Sequence, residues 1–226
     1  MTANSLNEQL GELNAQIRSS APAEVFETFA EEQRVLVSSV DTTGFVKAGD
    51  TVEPFTLPDA TGAPVELSRL LAAGPVVIAF YRGAWCPYCN VTLRTYQSEL
   101  LPELEKLGAA LVAISPQTPD GSLTVKETHE LAFTVLSDVG NAVARSLGIT
   151  HRPSEETRAT SQALGNDLGK VNGTGEWELP HPTLLVLDRD GTVAFADVHP
   201  DYTTRTEPAA ILAAVRAITR HQSPAS

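Results

Sequence analysis

Cations and thiols are the scarce components of this chain. Its 226 residues carry 16 Lys and Arg against 28 Asp and Glu, a formal net charge of −12, and two cysteines. A balance that acidic argues against nucleic acid or an anionic membrane as partner, since both are bound through basic patches. No stretch is long and apolar enough for a transmembrane span, and the opening MTANSLNEQLGEL has neither the basic start nor the apolar core of a secretory signal. The expectation is a cytoplasmic protein, of a length that suits one domain with an appendage.

What is present centres on residues 75–101, PVVIAFYRGAWCPYCNVTLRTYQSELL, which hold both cysteines, Cys86 and Cys89. Val76 to Phe80 is a short, apolar, partly β-branched run and predicts a buried strand. From Asn90 onward Leu93, Tyr96, Leu100, Leu101 and Leu104 recur at helical spacing, so the Cys-x-x-Cys falls where a strand hands over to a helix. Unpaired backbone N–H groups and the positive end of a helix dipole both favour thiolate there. No Asp or Glu occurs between Glu66 and Glu99, whereas Arg69, Arg82 and Arg94 lie inside that window. Clearing carboxylates from around the thiols lowers a cysteine pKa.

Other chemistries for the pair are weaker. Zinc would want four ligands, and the five histidines show no paired spacing. Haem attachment fails because residue 90 is Asn. A structural disulfide across so short a loop gains little chain-entropy stabilisation. Zinc and two inert buried cysteines stay open as alternatives, but a redox-active dithiol is favoured.

Around this centre, Leu6, Leu10, Leu13 and Ile17 predict a first amphipathic helix, expected to be a mobile or dimerising arm. Pro22 opens a second helix with Val25, Phe26, Phe29 and Leu36 on one face. Asp41 to Asp50 is the expected linker, dividing residues 1–45, an N-terminal helical extension, from a domain over 46–226. VEPFTLPDATGAPVEL predicts a hairpin turning at Asp59 to Gly62, followed by a short helix over 68–72. Strands are expected over 109–115 and 133–137, a loop over 116–122, and helices over 125–131 and 141–147. Residues 150–180 read as a polar, partly helical insertion packed down by Trp177. HPTLLVLDRDGTVAFADV predicts two strands joined at Asp190-Gly191, and 208–220 a closing helix. The alternation implies an α/β fold whose central strands are parallel.

The segment FYRGAWCPYCN resembles the active-site loop of thioredoxin-fold proteins. With VEPFTLPDATGAPVEL and THELAFTVLSDVGNAVARSLGI, the chain over roughly residues 46–219 is most similar to the peroxiredoxin-like branch, the alkyl hydroperoxide reductase and thiol-specific antioxidant group. The resemblance implies a thioredoxin-like three-layer sandwich with a central mixed β-sheet, and a thiol-dependent antioxidant oxidoreductase that reduces peroxides through a Cys86/Cys89 dithiol-disulfide cycle. It implies no metal or organic cofactor. Its substrate would be a peroxide or a disulfide, its reductant thioredoxin or another dithiol, and a homodimer is possible within this group. A disulfide oxidoreductase and a non-catalytic binding module on the same fold are the alternatives.

Placing the family's Phe-Tyr on Phe80-Tyr81 puts its peroxidatic cysteine on Cys89, its Thr on Cys86 and its Pro on Arg82, while its peroxide-activating Arg falls on Pro182. Pro182-Thr183 also sits where thioredoxin-fold proteins carry a cis proline facing the cysteine pair. Arg82 is the expected substitute cation, and Trp85, Pro182 and Thr183 the expected supports. Two role assignments follow. The helix start favours Cys86 as the attacking thiol with Cys89 resolving it, and the family register reverses them.

Overall fold

The computed structural model describes residues 4–222. Residues 1–3 and 223–226, which fall inside the two units expected above, lie outside the described residues.

Its centre is a five-stranded sheet in the order β5-β4-β3-β8-β9. Strand β3 (Val76–Phe80) is the expected apolar run and pairs in parallel with β4 (Ala110–Ser115), which pairs in parallel with β5 (Thr134–Ser137). On its other side β3 meets β8 (Thr183–Leu187) antiparallel, with Phe80 opposite Thr183, and β8 continues antiparallel into β9 (Val193–Val198). The sheet is therefore mixed, with a parallel half and an antiparallel half.

Successive strand residues point to opposite faces, and the core divides accordingly. Val77 and Ala79 pack into one apolar cluster, and Val76, Ile78 and Phe80 into the other. Leu67 and Leu71 of α3 (Leu67–Ala73) and Val143 and Ala144 of α7 (Ala142–Ser146) cover the second face. The first face is covered by the helix that carries the cysteines, by α10 (Pro208–Gln222) and by α1 (Leu6–Ser20). The result is a three-layer α/β sandwich. A hairpin of β1 (Thr56–Pro58) and β2 (Pro64–Glu66) leads into it, turning at Asp59 to Gly62 as expected.

The N-terminal stripe departs from expectation. Ser5 and Glu8 close a capping box at the start of α1. Leu6 and Leu10 are then 1% exposed within the same cluster as Cys86 and Cys89, with Leu13 and Ile17 packed against it. The arm expected to be mobile or dimerising finds its apolar partner in its own chain. Helix α2 (Ala23–Ser39) is pinned at two further points. Tyr202 Oη donates to Phe29 O at 2.8 Å, and the buried Glu32 carboxylate accepts from Ser154 N and Thr157 Oγ1 at the start of α8 (Glu155–Ala163).

Helix α6 spans Pro119–Thr128, where the sequence reading placed a loop followed by a later helix. Pro119 occupies the first turn, where a missing N–H costs nothing. Residues 150–180 carry β6 (Thr150–His151), α8, α9 (Leu168–Val171) and β7 (Leu179–Pro180). Trp177 is buried and packs with Leu168, Leu179 and Trp85, which ties this excursion to the cysteine loop. Among the described residues no helix is long and apolar enough to cross a membrane.

Candidate active site

After β3 the chain turns at Gly83, whose φ of +142° disfavours other residues and where a Cβ would stand 2.5 Å from Trp85 Nε1. Gln117 Oε1 accepts from Ala84 N at 2.5 Å, and Asn90 Nδ2 donates to Ala84 O at 2.9 Å. These contacts hold the loop so that Cys86 is the N-cap and Pro87 the first residue of α4 (Pro87–Thr95). Cys89 follows in the first turn. Both thiols are free and buried, at 1% and 0% exposure.

The two thiols sit in different electrostatic surroundings. Cys86 does sit at the helix start, but its side chain caps no backbone N–H, and Pro87 removes one of the amides on which that expectation relied. Burial pushes the Cys86 thiol well up, and its hydrogen bond to Cys89 pushes it the same way. Burial opposes ionisation of Cys89 too, yet there it is overcome. Cys89 shares a thiol hydrogen bond with Cys86, Arg205 Nη2 donates to its sulfur at 3.2 Å, and Arg82 N donates at 3.5 Å. With the charge of Arg82 added, the Cys89 pKa is drawn well below its ordinary value. Desolvation without partners raises a thiol pKa, and desolvation with two cations and two donors lowers it.

Arg205 was not among the residues expected from sequence. Its Nη1 donates to Tyr202 O at 2.7 Å and Thr204 O at 2.5 Å, which orients the remaining nitrogen at the sulfur. Its backbone is clamped by α1: Arg205 N donates to Asn7 Oδ1 at 2.9 Å, and Asn7 Nδ2 donates to Arg205 O at 2.7 Å. The next residues are held as firmly. Glu207 accepts the N–H groups of Leu6 and Asn7, and Tyr96 Oη donates to Thr206 O at 2.7 Å. Tyr96 opens a π-turn (Tyr96–Leu100) between α4 and α5 (Leu101–Lys106), where Leu101 N bonds Tyr96 O and Pro102 interrupts the regular ladder.

The expected supports divide. The Arg82 guanidinium lies between two rings, 4.9 Å from Trp85 and 4.2 Å from Tyr202, so it acts on the thiols through its backbone N–H and its field. Thr183 shares with Cys89, Arg205 and Thr206 the lining of a small void of about 10 Å³. Pro182 is corrected: every peptide bond among the described residues is trans. Its carbonyl accepts His199 N at 2.8 Å, and His181 N before it bonds Ile149 O. It is a strand-initiating proline, with extended chain on both sides.

Beneath Arg82, the His151 and His181 rings stack at 4.6 Å, and none of their four ring nitrogens has a hydrogen-bond partner. Burial and then the Arg82 charge hold His181 neutral down to about 4, and burial, then His181, then Arg82 push His151 down as well. The folded pKa lies below the unfolded value, so the unfolded chain binds more protons between the two, and stability is lost as pH falls from about 6.5 towards 4. Replacing His181→Phe should flatten this slope by about 2 kcal/mol between pH 7 and 5, read as urea midpoints at each pH. An unchanged slope would show that His181 is not buried neutral.

Comparison with known proteins shows the family of the chain. The AhpC/TSA family model covers residues 48–196. The chain belongs to the AhpC/TSA family. The chloroplastic peroxiredoxin Q of Sedum lineare is 35% identical over 148 residues, covering 66% of this chain and 67% of that relative. Wheat peroxiredoxin Q, from Triticum aestivum, is 30% identical over 175 residues, or 77% and 70% of the two chains. Among solved structures, the peroxidoxin BcpB of Mycobacterium tuberculosis superposes with a TM-score of 0.61 at 28% identity, over 76% of this chain and 98% of that one. As a member of the AhpC/TSA family the protein is a thiol peroxidase of thioredoxin-like fold. Both Arg205 and α1 lie outside the residues that the family model covers.

Proposed function

We propose that the protein reduces peroxides with Cys89 as the attacking thiolate and Cys86 as the resolving thiol. The observation that carries this is the convergence of Arg205 Nη2 and Arg82 N on Cys89 Sγ, while Cys86 receives no such donor. The Cys89 sulfur attacks one peroxide oxygen. The S–O bond forms as the O–O bond breaks, and the departing alkoxide or hydroxide takes a proton, leaving Cys89 as the sulfenic acid. Cys86 then attacks the Cys89 sulfur, water leaves, and a Cys86–Cys89 disulfide remains. Arg205 stabilises the thiolate before the step and polarises the peroxide during it, the service that the family's missing arginine at position 182 would give. A thioredoxin-type or other dithiol returns the disulfide to two thiols.

The division at residue 45 belongs to the same reading: residues 46–226 carry the thiols and residues 1–45 hold the Arg205 segment and cover Cys86. No second copy of the chain is required, because the first helix already has a partner. Placement in the cytoplasm belongs to the same proposal, since a reducing compartment would return the disulfide to two thiols between turnovers.

One equivalent of hydrogen peroxide should consume both thiols, lower the intact mass by about two hydrogens, and give no covalent dimer. A disulfide-linked dimer would assign the resolving thiol to another subunit. A protein inert to peroxide but active in insulin reduction would instead be a disulfide oxidoreductase.

A further inference from the structure

The two thiols border different spaces. Cys89 lines the void of about 10 Å³, room for a single water-sized molecule. Cys86 lines a cavity of about 400 Å³ between α1, α2 and the segment that follows α8. Ile17, Val25, Phe26, Phe29 and Leu164 make that cavity apolar, and among the described residues Arg82 is the one charged side chain on its wall. A volume near the lower end of the range for small-molecule sites suits a compact organic ligand.

We infer that this cavity is the port of the electron donor, and that the donor is a dithiol carried on a small, uncharged, apolar body. The inference rests on the reading of Cys89 as the attacking residue. Once the disulfide has formed, Cys86 is the sulfur that a molecule in the cavity meets. Attack there also expels the better leaving group, because Cys89 departs as a thiolate onto the hydrogen bonds of Arg205 and Arg82. The donor's first sulfur bonds to Cys86 Sγ as the Cys86–Cys89 bond breaks. Its second sulfur then attacks the first, the mixed disulfide breaks, and Cys86 recovers its thiol. The donor loses two electrons and two protons, and the protein gains them.

The walls decide the donor's body. Cys86 is 1% exposed, and α2 is fastened above it at Phe29, Glu32 and Gln33, the last donating to Asp201 at 2.6 Å. With so little of the sulfur exposed, a small dithiol that enters the cavity reaches it more readily than a protein dithiol docking from outside. A thiol bearing carboxylates would lose their hydration in an apolar space whose cation is already sandwiched between rings. A hydroperoxide with a bulky tail would fit the cavity, but its O–O bond would lie against the neutral thiol.

The test separates the two half-reactions. The disulfide form is prepared with one equivalent of hydrogen peroxide, the oxidant is removed, and thiol recovery is followed with dihydrolipoamide, glutathione or thioredoxin. Rates are corrected for each donor's thiolate fraction. Dihydrolipoamide is expected to saturate and to exceed the other two by at least about tenfold. Ala30→Phe and Leu164→Trp, which fill the cavity from opposite walls, should each lower its rate by about the same factor. Far-UV and near-UV circular dichroism identify a misfolded variant, and the donor comparison on the unsubstituted protein does not depend on either. A faster reaction with thioredoxin, or well-folded filled variants of unchanged rate, would overturn the inference. So would cumene hydroperoxide oxidising the reduced protein faster than hydrogen peroxide, with that advantage lost in the filled variants, since the cavity would then belong to the peroxide. If no disulfide forms in the first step, it is the proposed peroxidase mechanism that fails.

Discussion

Cys86→Ser should consume hydrogen peroxide rapidly and accumulate a sulfenic acid, while Cys89→Ser should react as an ordinary buried thiol. Arg205 and Arg82 N stay on Cys89 in the first variant, and a serine hydroxyl can take over the hydrogen bond that Cys86 makes with its sulfur. In the second variant Cys86 loses the two upward contributions of Cys89 but keeps its burial, the largest cause of its raised pKa, and no arginine N–H is placed on its sulfur. Each unit of pKa separation is worth about tenfold in thiolate at neutral pH, and the two environments shift the thiols in opposite directions, so a gap of at least about a hundredfold is expected. Stopped-flow peroxide consumption with dimedone trapping measures it. If Cys89→Ser proves the faster and is the form that dimedone labels, the assignment of roles is reversed.

Arg205→Gln is the second large effect. It removes a hydrogen bond from a charged donor to a buried anion, an interaction worth about 1.5–3 kcal/mol, or roughly ten- to hundredfold in rate at pH 7. Because the lost stabilisation belongs to the thiolate, the deficit should shrink towards pH 9, where the thiol ionises without help. A purely structural defect would lower the rate equally at every pH. Arg205→Lys should recover part of the loss, keeping the charge but not the fork that also grips Tyr202 O and Thr204 O. Asn7→Ala should shift the profile in the same direction by less, because Tyr96 and Glu207 still hold the neighbouring residues.

The contrast between what the sequence revealed and what it hid follows from distance along the chain. Val76–Phe80 and the β8–β9 hairpin were legible because burial and turn chemistry are written into consecutive residues. Cys86 and Cys89 were legible for the same reason. Arg205 was not, because it is 116 positions from Cys89 and sits between Asp201 and Glu207, where a local charge count reads it as neutralised surface. Of the three arginines in the acid-free window around the cysteines, Arg82 acts on the thiols while Arg69 pairs with Glu66 at the surface, and the window could not say which sulfur the field would favour. That depended on Pro87 removing an amide at the helix start and on a guanidinium arriving from the other end of the chain. The stripe on α1 showed that a partner existed and left open whose surface it was.

The fastening of Leu6 and Asn7 to Glu207 spans about two hundred residues. During synthesis the cysteine loop emerges well before either Arg205 or its neighbours, so the nascent chain carries Cys89 without its guanidinium, and α1 has no finished surface to settle on. The thiol is then chemically unremarkable through most of translation. On this reading its reactivity waits for the Arg205 segment, the same segment whose arrival lets the fold bury it beside the thiol that resolves it.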